Sequence, residues 1–329
     1  MVNVALIGTG GIARKHMEAL LNIKEAKIVS TYDVVAERAQ AFAAECGATA
    51  ETDLEKAIAK ADLVYVLTPP SFHKEIAVKA MESGKHVVIE KPIAITLEDA
   101  KVIVETSRRT GKKAMMGFNM RYREGYRKLK EIVDSGRLGK ILYYWSQRME
   151  MVRPKGNWRT NPEQLSGFTI ESLSHDIDMF RWISGSEVCS VYGDVQNASP
   201  HLPGYDDNAL VVLHLADGSA ANIQASWSSY LSFNSRGVVG TEGTAMISGT
   251  GTWNFDTFRY RTKEMEEECI EALDDPLDIR SYQMENRHFI DCVLKDQKPH
   301  MSAAEGLTIL TISHAILRAS RERTVVHLP

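Results

Sequence analysis

The sequence is poor in cysteine and has no cysteine pattern that builds a site. Its four cysteines, Cys46, Cys189, Cys269 and Cys292, are widely separated and form no C-x-x-C pair. Disulfide frameworks and zinc sites need closer or paired spacings, and scattered thiols are typical of a reducing compartment. We therefore expect reduced thiols, a cytoplasmic protein and no metal ligands among these cysteines.

Long hydrophobic runs and blocks of one charge are also missing. No stretch reaches the roughly 18 consecutive apolar residues of a membrane-spanning helix, and the first residues do not resemble a signal peptide. The chain has 39 Lys and Arg against 43 Asp and Glu, a net charge of −4, with no basic block. This balance gives no support for a nucleic-acid or membrane partner.

The strongest local pattern lies in the first thirteen residues. Val2–Ile7 is an apolar run that suits a buried strand, and the next six residues, GTGGIA, read as G-x-G-x-x-A at the start of a helix. Gly8 allows a tight turn, Gly10 lets a pyrophosphate approach the backbone, and Ala13 lets the helix pack close to the strand. The free N–H groups and dipole of that helix favour phosphate. The pattern predicts dinucleotide binding; the alternative is a glycine-rich corner without a ligand.

Strands and helices alternate from residue 1 to about 120, which indicates a doubly wound parallel sheet. We predict strands at 2–7, 27–31, 63–67, 86–89 and 114–118, and helices from residue 12 and over 34–45, 53–60, 71–83 and 96–110, with Ser71 and Thr96 as N-caps. The fold class is therefore α/β, with an N-terminal Rossmann dinucleotide-binding domain over residues 1–120. The carboxyl ends of parallel strands meet at one edge of the sheet, where the ligand binds.

The pattern changes after Asn119, because longer alternating runs separated by turn signals follow. We predict strands at 141–151, 188–196, 210–215, 220–228, 235–239 and 245–248, and helices at 122–135, 170–183, 281–295 and 303–321. The acidic stretch 264–275 is expected to be a solvated loop or helix face. Residues 121–329 are thus predicted to form an α+β domain with an open, mainly antiparallel sheet for substrate binding and oligomerisation. A one-faced sheet must cover its other face, so we expect a homo-oligomer, either a dimer or a tetramer.

Cofactor choice depends on Asp33, which ends the second predicted strand. An acid at this position accepts hydrogen bonds from the adenosine ribose hydroxyls and repels a 2′-phosphate. No basic residue follows directly, and Arg38 is a full helical turn further on. We therefore expect NAD as the cofactor, with NADP less favoured.

Several motifs, taken in order, resemble the glucose–fructose oxidoreductase / inositol dehydrogenase / MocA (Gfo/Idh/MocA) family. They are Thr68-Pro69-Pro70-Ser71-x-His73, Gly84-Lys85-His86-Val87-x-x-Glu90-Lys91-Pro92, Gly117-Phe118-Asn119-x-Arg121-Tyr122 and Ser174-His175-Asp176-Ile177-Asp178-x-x-Arg181-Trp182, followed by Asp207-Asn208-Ala209 and Ala225-Ser226-Trp227. The resemblance spans nearly the whole chain. It implies an enzyme that oxidises secondary alcohols of sugars, polyols or inositol-like compounds, or reduces the matching ketones.

The resemblance also implies a set of cofactor-binding residues at the edge of the sheet. That set is Gly8, Gly10, Gly11, Ile12, Ala13, Asp33, Thr68, Pro69, His73, Glu90, Lys91 and Asn119. Lys91 directly follows a strand and is fixed by Pro92, so we expect it to hydrogen-bond the substrate oxygen and stabilise charge on it. The alternative is a surface lysine.

His175 is the candidate general acid/base, because imidazole titrates near neutral pH. Glu171 lies four residues earlier, on the same face of the predicted helix, and can orient the ring. The family more often has Asp at that position, so Glu171 either orients His175 or reaches a substrate hydroxyl. The alternative for His175 is a helix histidine packed against Trp182.

The substrate is expected to contact polar and aromatic side chains of the second domain, since sugar pockets combine apolar walls with a few polar anchors. Candidates are Arg121, Tyr122, Asn157, Trp158, Glu171 and His175, with Asn119, Arg153, Tyr205 and Asp206 as further members. Interface packing is the alternative for these residues. Two other functions stay open: a glycosidase-type enzyme that uses NAD as a transient redox group, and a non-catalytic dinucleotide-binding regulator.

Overall fold

The computed structural model describes residues 1–152, 158, 164, 167–198 and 205–329. These residues form two compact units. The first comprises Met1–Asn119 with Asp278–Leu310, and the second comprises Met120–Leu277 with Thr311–Pro329. The chain therefore divides next to the predicted boundary at residue 120. Residues 278–310 group with the first unit, although the sequence placed them in the second domain.

The first unit contains the predicted parallel sheet, which has six strands where the sequence indicated five. Its strands are β1 (Val2–Ile7), β2 (Ala26–Tyr32), β3 (Thr49–Glu51), β4 (Leu63–Val66), β5 (His86–Glu90) and β6 (Ala114–Gly117). The order is β3-β2-β1-β4-β5-β6 and each neighbouring pair is parallel. The strand order reverses beside β1, so the loop after β1 lies at the switch point where such sheets bind ligands.

Helices follow the strands of this sheet. They are α1 (Gly11–Leu20), α2 (Ala36–Cys46), α3 (Leu54–Ala59), α4 (His73–Glu82), α5 (Leu97–Thr110) and, late in the chain, α9 (Arg280–Leu294). Thr96 caps α5 as predicted, because its hydroxyl accepts the N–H of Asp99 at 3.1 Å. Ser71 does not cap α4: a 3₁₀ turn over Pro70–Phe72 precedes that helix and puts Phe72 at the N-cap. Pro70 favours this extra turn because the first turn of a helix needs no N–H from it.

The second unit contains a nine-stranded, mainly antiparallel sheet. Its strands are β7 (Ile141–Met151), β8 (Val188–Gln196), β9 (Asn208–Leu215), β10 (Ala220–Ser226), β11 (Ser228–Gly240), β12 (Gly243–Thr250), β13 (Phe255–Thr262), β14 (Cys269–Asp275) and β15 (Val326–His327). The order is β14-β13-β12-β11-β7-β10-β9-β8-β15, and only the β7–β10 pair among these is parallel. The predicted open sheet is thus confirmed.

The prediction of a solvated loop holds for residues 264–268 of the acidic stretch and is wrong for the rest. Residues Cys269–Asp275 form the edge strand β14, paired with β13. Its last residue, Asp275, is buried and accepts a hydrogen bond from Arg123 Nε at 2.7 Å. The charged side chains of Glu271 and Asp274 suit an edge strand, which such residues protect from further pairing.

Three helices of the second unit are α6 (Glu124–Asp134), α7 (Gly167–Glu171) and α8 (Ser174–Ser184), and the long helix α10 (Ala303–Glu322) begins in the first unit and ends in the second. The predicted continuous helix 170–183 is therefore wrong, because a turn at Ser172–Leu173 separates α7 from α8. The N–H groups of both turn residues hydrogen-bond the carbonyl of Phe168. Within the described part of the chain, no helix is long and apolar enough to cross a membrane.

Candidate functional site

The glycine loop after β1 has the backbone that a bound pyrophosphate needs. Gly8 has φ +93°, and a Cβ there would lie 2.7 Å from the carbonyl oxygen of Leu67, so no other residue fits without strain. A Cβ on Gly10 or Gly11 would meet no atom within 4 Å. The N-terminus of α1 has no side-chain cap and no acidic residue in its first turn. Its N–H groups therefore face open space and favour an anion.

Asp33 lies at the end of β2 and is bonded to the glycine loop. Its Oδ2 accepts hydrogen bonds from the backbone N–H and the hydroxyl of Thr9, each at 2.9 Å, and its Oδ1 accepts the N–H of Val35 at 3.0 Å. The carboxylate is only partly buried, and one lone pair of Oδ1 stays available to a ligand. Asp33 thus lies beside the loop, as its predicted ribose contact requires.

His73 joins two segments that end at the same edge of the sheet. Its Nε2 lies 2.9 Å from the carbonyl oxygen of Thr68, and its Nδ1 lies 2.9 Å from that of Pro92. Burial lowers the pKa of His73, although the two carbonyls favour the charged ring. Both ring nitrogens face the backbone, so this side chain shapes the residues predicted to contact the cofactor.

A buried chain of polar groups supports the segment that carries Lys91. Glu90 Oε2 accepts the N–H of Lys91 at 3.2 Å, and its Oε1 lies 3.0 Å from His16 Nε2. The other ring nitrogen of His16 lies 2.9 Å from Asn286 Oδ1 on α9. The two ring nitrogens of His16 thus link the segment that carries Lys91 to helix α9.

Gly117, at the end of β6, makes room for this arrangement. A Cβ at that position would lie 2.8 Å from Glu90 Oε1.

The Lys91–Pro92 peptide is cis, and the Lys91 side chain is partly exposed. The neighbouring Asn119 is buried and donates to the hydroxyl of Ser281 at 3.1 Å.

In the second unit, Glu171 and His175 lie on either side of the turn between α7 and α8, and both are buried. They do not share one helix face, which corrects the geometry expected from the sequence. Glu171 Oε2 accepts the hydroxyl of Tyr205 at 3.0 Å. The His175 ring packs against that of Trp253, with centroids 5.4 Å apart and planes at 74°.

The residues just before Glu171 are tied to Asp206. Its Oδ2 accepts the N–H of Thr169 at 2.7 Å, and burial raises the pKa of Asp206. A Cβ on Gly167 would lie 2.0 Å from Asp206 Oδ1, and its φ is +79°. Phe168 is fully buried and packs on Trp227 at 4.8 Å between ring centroids. Asp206 therefore fixes the start of α7, and Phe168 fills the space behind it.

The other predicted substrate residues differ in burial and in hydrogen-bond partners. Arg121 donates from Nε to both oxygens of Asp178, at 3.0 and 3.1 Å. Tyr122 and Trp158 are half-buried. The predictions for Arg153 and Asn157 lie outside the described residues.

The sequence did not predict the roles of Thr9, His16 and Asn286 in these networks, nor that of Arg148, which hydrogen-bonds the turn residue Ser172. His16 lies on the buried face of α1, where a lone histidine is commonly a core residue. Its position one turn after the glycine loop was the available signal. Nothing in the local sequence indicates Arg148 or Asn286, because their partners are distant in the chain.

Comparison with known proteins agrees with the motifs. Residues 2–118 match a family model described as oxidoreductase family, NAD-binding Rossmann fold, and residues 126–246 match the GFO/IDH/MocA C-terminal domain. The chain is 27% identical to scyllo-inositol 2-dehydrogenase (NAD(+)) of Bacillus subtilis over 99% of this chain and 96% of that protein. It is 30% identical to 2,7-anhydro-N-acetylneuraminate hydratase of Mediterraneibacter gnavus over 75% of this chain and 67% of that protein.

The crystal structure of the WlbA dehydrogenase from Bordetella pertussis, in complex with NADH and UDP-GlcNAcA, has the same fold. The two chains share 24% identity with a TM-score of 0.85, over 100% of this chain and 99% of that one. The chain therefore belongs to the Gfo/Idh/MocA oxidoreductase family, and its first unit contains the NAD-binding Rossmann domain. The family resemblance and the dinucleotide-binding prediction are both confirmed.

Proposed function

We propose that the protein is an NAD-dependent dehydrogenase that transfers a hydride between nicotinamide and a secondary alcohol or ketone of a sugar, polyol or inositol-like substrate. One observation carries this proposal. The glycine loop, Asp33 and the Glu90–Lys91 segment all follow strands at the same edge of one parallel sheet, and buried hydrogen bonds fix both Asp33 and Glu90. A regulator that only binds the dinucleotide has no need of Lys91 and His175.

The cofactor roles follow from the first unit. The N–H groups at Gly10 and Gly11 would hold the pyrophosphate, and the remaining lone pair of Asp33 Oδ1 would accept a hydrogen bond from the adenosine ribose. The same carboxylate disfavours a 2′-phosphate, which supports NAD over NADP. Thr68, Pro69 and Asn119 complete the proposed cofactor-binding edge.

The chemistry requires one hydride acceptor and one proton acceptor. In the oxidation direction, the carbinol carbon gives its hydride to the nicotinamide, and the hydroxyl proton passes to the His175 imidazole, leaving a ketone. Lys91 stabilises the negative charge that develops on the substrate oxygen. Glu171 stabilises the charged form of His175 or holds a substrate hydroxyl. Substrate binding by Arg121, Tyr122, Asn157 and Trp158 is part of this proposal.

A panel of sugars, inositols, deoxysugars and aminosugars, scanned for NADH and NADPH formation, tests the proposal. We expect turnover with NAD and at least one polyhydroxylated compound. Ketones of the same compounds with NADH test the reverse direction. The absence of any absorbance change across both panels would contradict the proposal.

The hydratase relative supports a second candidate, in which the cofactor is reduced and reoxidised within one catalytic cycle. Such an enzyme forms product without net NADH. Anhydro-sugars and glycosides should therefore be incubated with catalytic amounts of NAD, and their products analysed directly. Product formation without NADH accumulation favours this candidate, whereas stoichiometric NADH favours the dehydrogenase.

A further inference from the structure

Arg148 on β7 connects the two segments that carry Glu171 and His175. Its guanidinium is buried, with 1% exposure. Nη1 donates to Ser172 Oγ at 3.1 Å, and Nη2 donates to the carbonyl oxygen of Ser172 at 3.2 Å. The same Nη2 lies 2.7 Å from Asp176 Oδ2. The Arg148 side chain thus hydrogen-bonds the turn after α7 and forms an ion pair with the first turn of α8.

The rings around Arg148 extend this connection to His175. The guanidinium carbon lies 5.7 Å from the ring centroid of Phe168 on α7 and 4.7 Å from that of Trp253. Trp253 is the ring that contacts His175. Stacking between a guanidinium and aromatic rings is directional, so Arg148 restricts Trp253 together with Arg236, whose guanidinium carbon lies 5.5 Å from the same centroid.

The negative charge of Asp176 has other partners besides Arg148. Arg236 Nε lies 3.8 Å from Asp176 Oδ1, and the hydroxyl of Ser146 donates to that oxygen at 2.6 Å. Both side chains are fully buried, like Asp176 itself. Asp176 would therefore keep partners if Arg148 were shortened. The contribution that Arg148 makes and Arg236 does not is the bond to Ser172.

We propose that Arg148 is a positioning residue for Glu171 and His175, which rests on the proposed function of these two residues in proton transfer. The turn Ser172–Leu173 separates them, so a rotation of that turn moves both side chains relative to each other. The forked guanidinium fixes the turn because it bonds Ser172 and Asp176 at once. A displacement of about 1 Å in such a pair costs up to about 100-fold in rate.

The test compares two lysine variants that retain the charge next to Asp176. Arg148→Lys replaces the planar two-nitrogen fork with a single ammonium nitrogen, which cannot keep the Nη1 bond to Ser172 Oγ together with the Nη2 contacts to the Ser172 carbonyl and Asp176 in their present geometry. Arg236→Lys is the matched control, because it alters another buried arginine of the same carboxylate and leaves Ser172 untouched. Thermal unfolding and NAD affinity are measured for both variants, so that losses from misfolding or cofactor binding are separated from losses of alignment.

We expect Arg148→Lys to lower kcat about 10- to 100-fold with little change in NAD affinity, while Arg236→Lys stays close to the wild type. A second arm needs no substrate. In protein labelled with carbon-13 at histidine Cε1, the His175 resonance, assigned with His175→Asn, should move clearly further in Arg148→Lys than in Arg236→Lys.

Equal effects of the two lysine variants would overturn the proposal, as would a loss of kcat that only follows the folded fraction. A His175 resonance that does not move in Arg148→Lys would also overturn it. If the wild type turns over no alcohol or ketone, the proposed function fails, and the resonance comparison still decides whether Arg148 positions His175.

Discussion

Both hydrogen-bond donors of Thr9 point at one oxygen of Asp33: the backbone N–H and the hydroxyl each lie 2.9 Å from Oδ2. The carboxylate predicted to select the cofactor is thus held by the loop predicted to bind its pyrophosphate. Phosphate binding and ribose recognition are coupled through this contact, since a shift of either segment changes the orientation of the carboxylate.

The first prediction concerns the choice of cofactor. Asp33→Ser combined with Val34→Arg should weaken NAD binding about tenfold or more and admit NADP, because an acceptor is lost and a phosphate partner is added. Val34 is 87% exposed, so an arginine fits there without strain. Calorimetric titration with both cofactors measures the effect. Thr9→Ser serves as a control that keeps the hydroxyl bond. Unchanged discrimination would mean that Asp33 serves only the loop.

The second prediction concerns Lys91. Lys91→Ala should lower turnover about 100- to 1,000-fold and leave NAD affinity nearly intact, because the ammonium group acts where charge develops. Lys74→Ala is a suitable control, since Lys74 is a half-exposed lysine that pairs with Asp99 at 2.6 Å. Turnover and NAD binding are measured on the same preparations. A parallel loss of both in Lys91→Ala would assign this residue to cofactor placement or folding.

The third prediction treats Glu171 and His175 as one unit. If Glu171 orients His175, then Glu171→Gln and His175→Ala should each cost a similar factor in turnover, and the double variant should cost little more. Glu171→Asp should keep more activity than Glu171→Gln, and the limb of the pH–rate profile assigned to His175, which is the acidic limb in the oxidation direction, should move to lower pH in the Gln variant. Strictly additive losses would show that Glu171 acts separately, most simply on a substrate hydroxyl.

The fourth prediction concerns acid stability. The pKa of His73 is lowered mainly by burial, so the unfolded chain binds more protons than the folded one below about pH 6.5. Stability should therefore be complete above that pH and fall as the pH decreases, by up to about 1.4 kcal/mol per pH unit for one proton. Burial also lowers the pKa of His86 and His288, which adds to the slope. Urea unfolding between pH 5 and 8 should show a smaller slope for His73→Gln than for the wild type.

The fifth prediction concerns self-association. One face of the large sheet exposes apolar side chains, including Tyr143 at 44%, Leu210 at 54%, Val212 at 39% and Phe233 at 41%. We expect this face to be covered by a second copy of the chain. Light scattering should give more than the monomer mass at micromolar concentration, and Leu210→Lys with Val212→Lys should reduce it. Leu21→Lys changes an exposed leucine of the first unit and should not. A monomeric wild type would contradict the prediction.

The first unit could be predicted closely because its pattern is local. Buried parallel strands are short apolar runs, and the glycine loop, Thr96 and the strand-ending residues follow them within a few positions. The hydrogen bonds of His16 were not predicted because a histidine on an apolar helix face is usually a core residue, and its partner Asn286 is distant in the sequence.

The cytoplasmic location stays a prediction.

The second unit was less predictable because its decisive contacts are tertiary. Helical periodicity continues through residues 170–183, so it gives no sign of the turn at Ser172. The side chain that hydrogen-bonds this turn, Arg148, lies on strand β7. The edge strand Cys269–Asp275 has an acidic, amphipathic sequence, which suits a loop or helix surface equally well. Its assignment depends on pairing with β13 and on the buried bond between Asp275 and Arg123.

The return of Asp278–Leu310 to the first unit has a consequence for synthesis on the ribosome. The helix that follows the glycine loop is made first, yet the amide partner of His16 is residue 286 of a 329-residue chain. His16 in the nascent cofactor domain therefore lacks this partner until residue 286 has been made. A fragment that stops at Asn119 omits the partner, so we expect the cofactor domain to be more stable when residues 278–310 are joined to it.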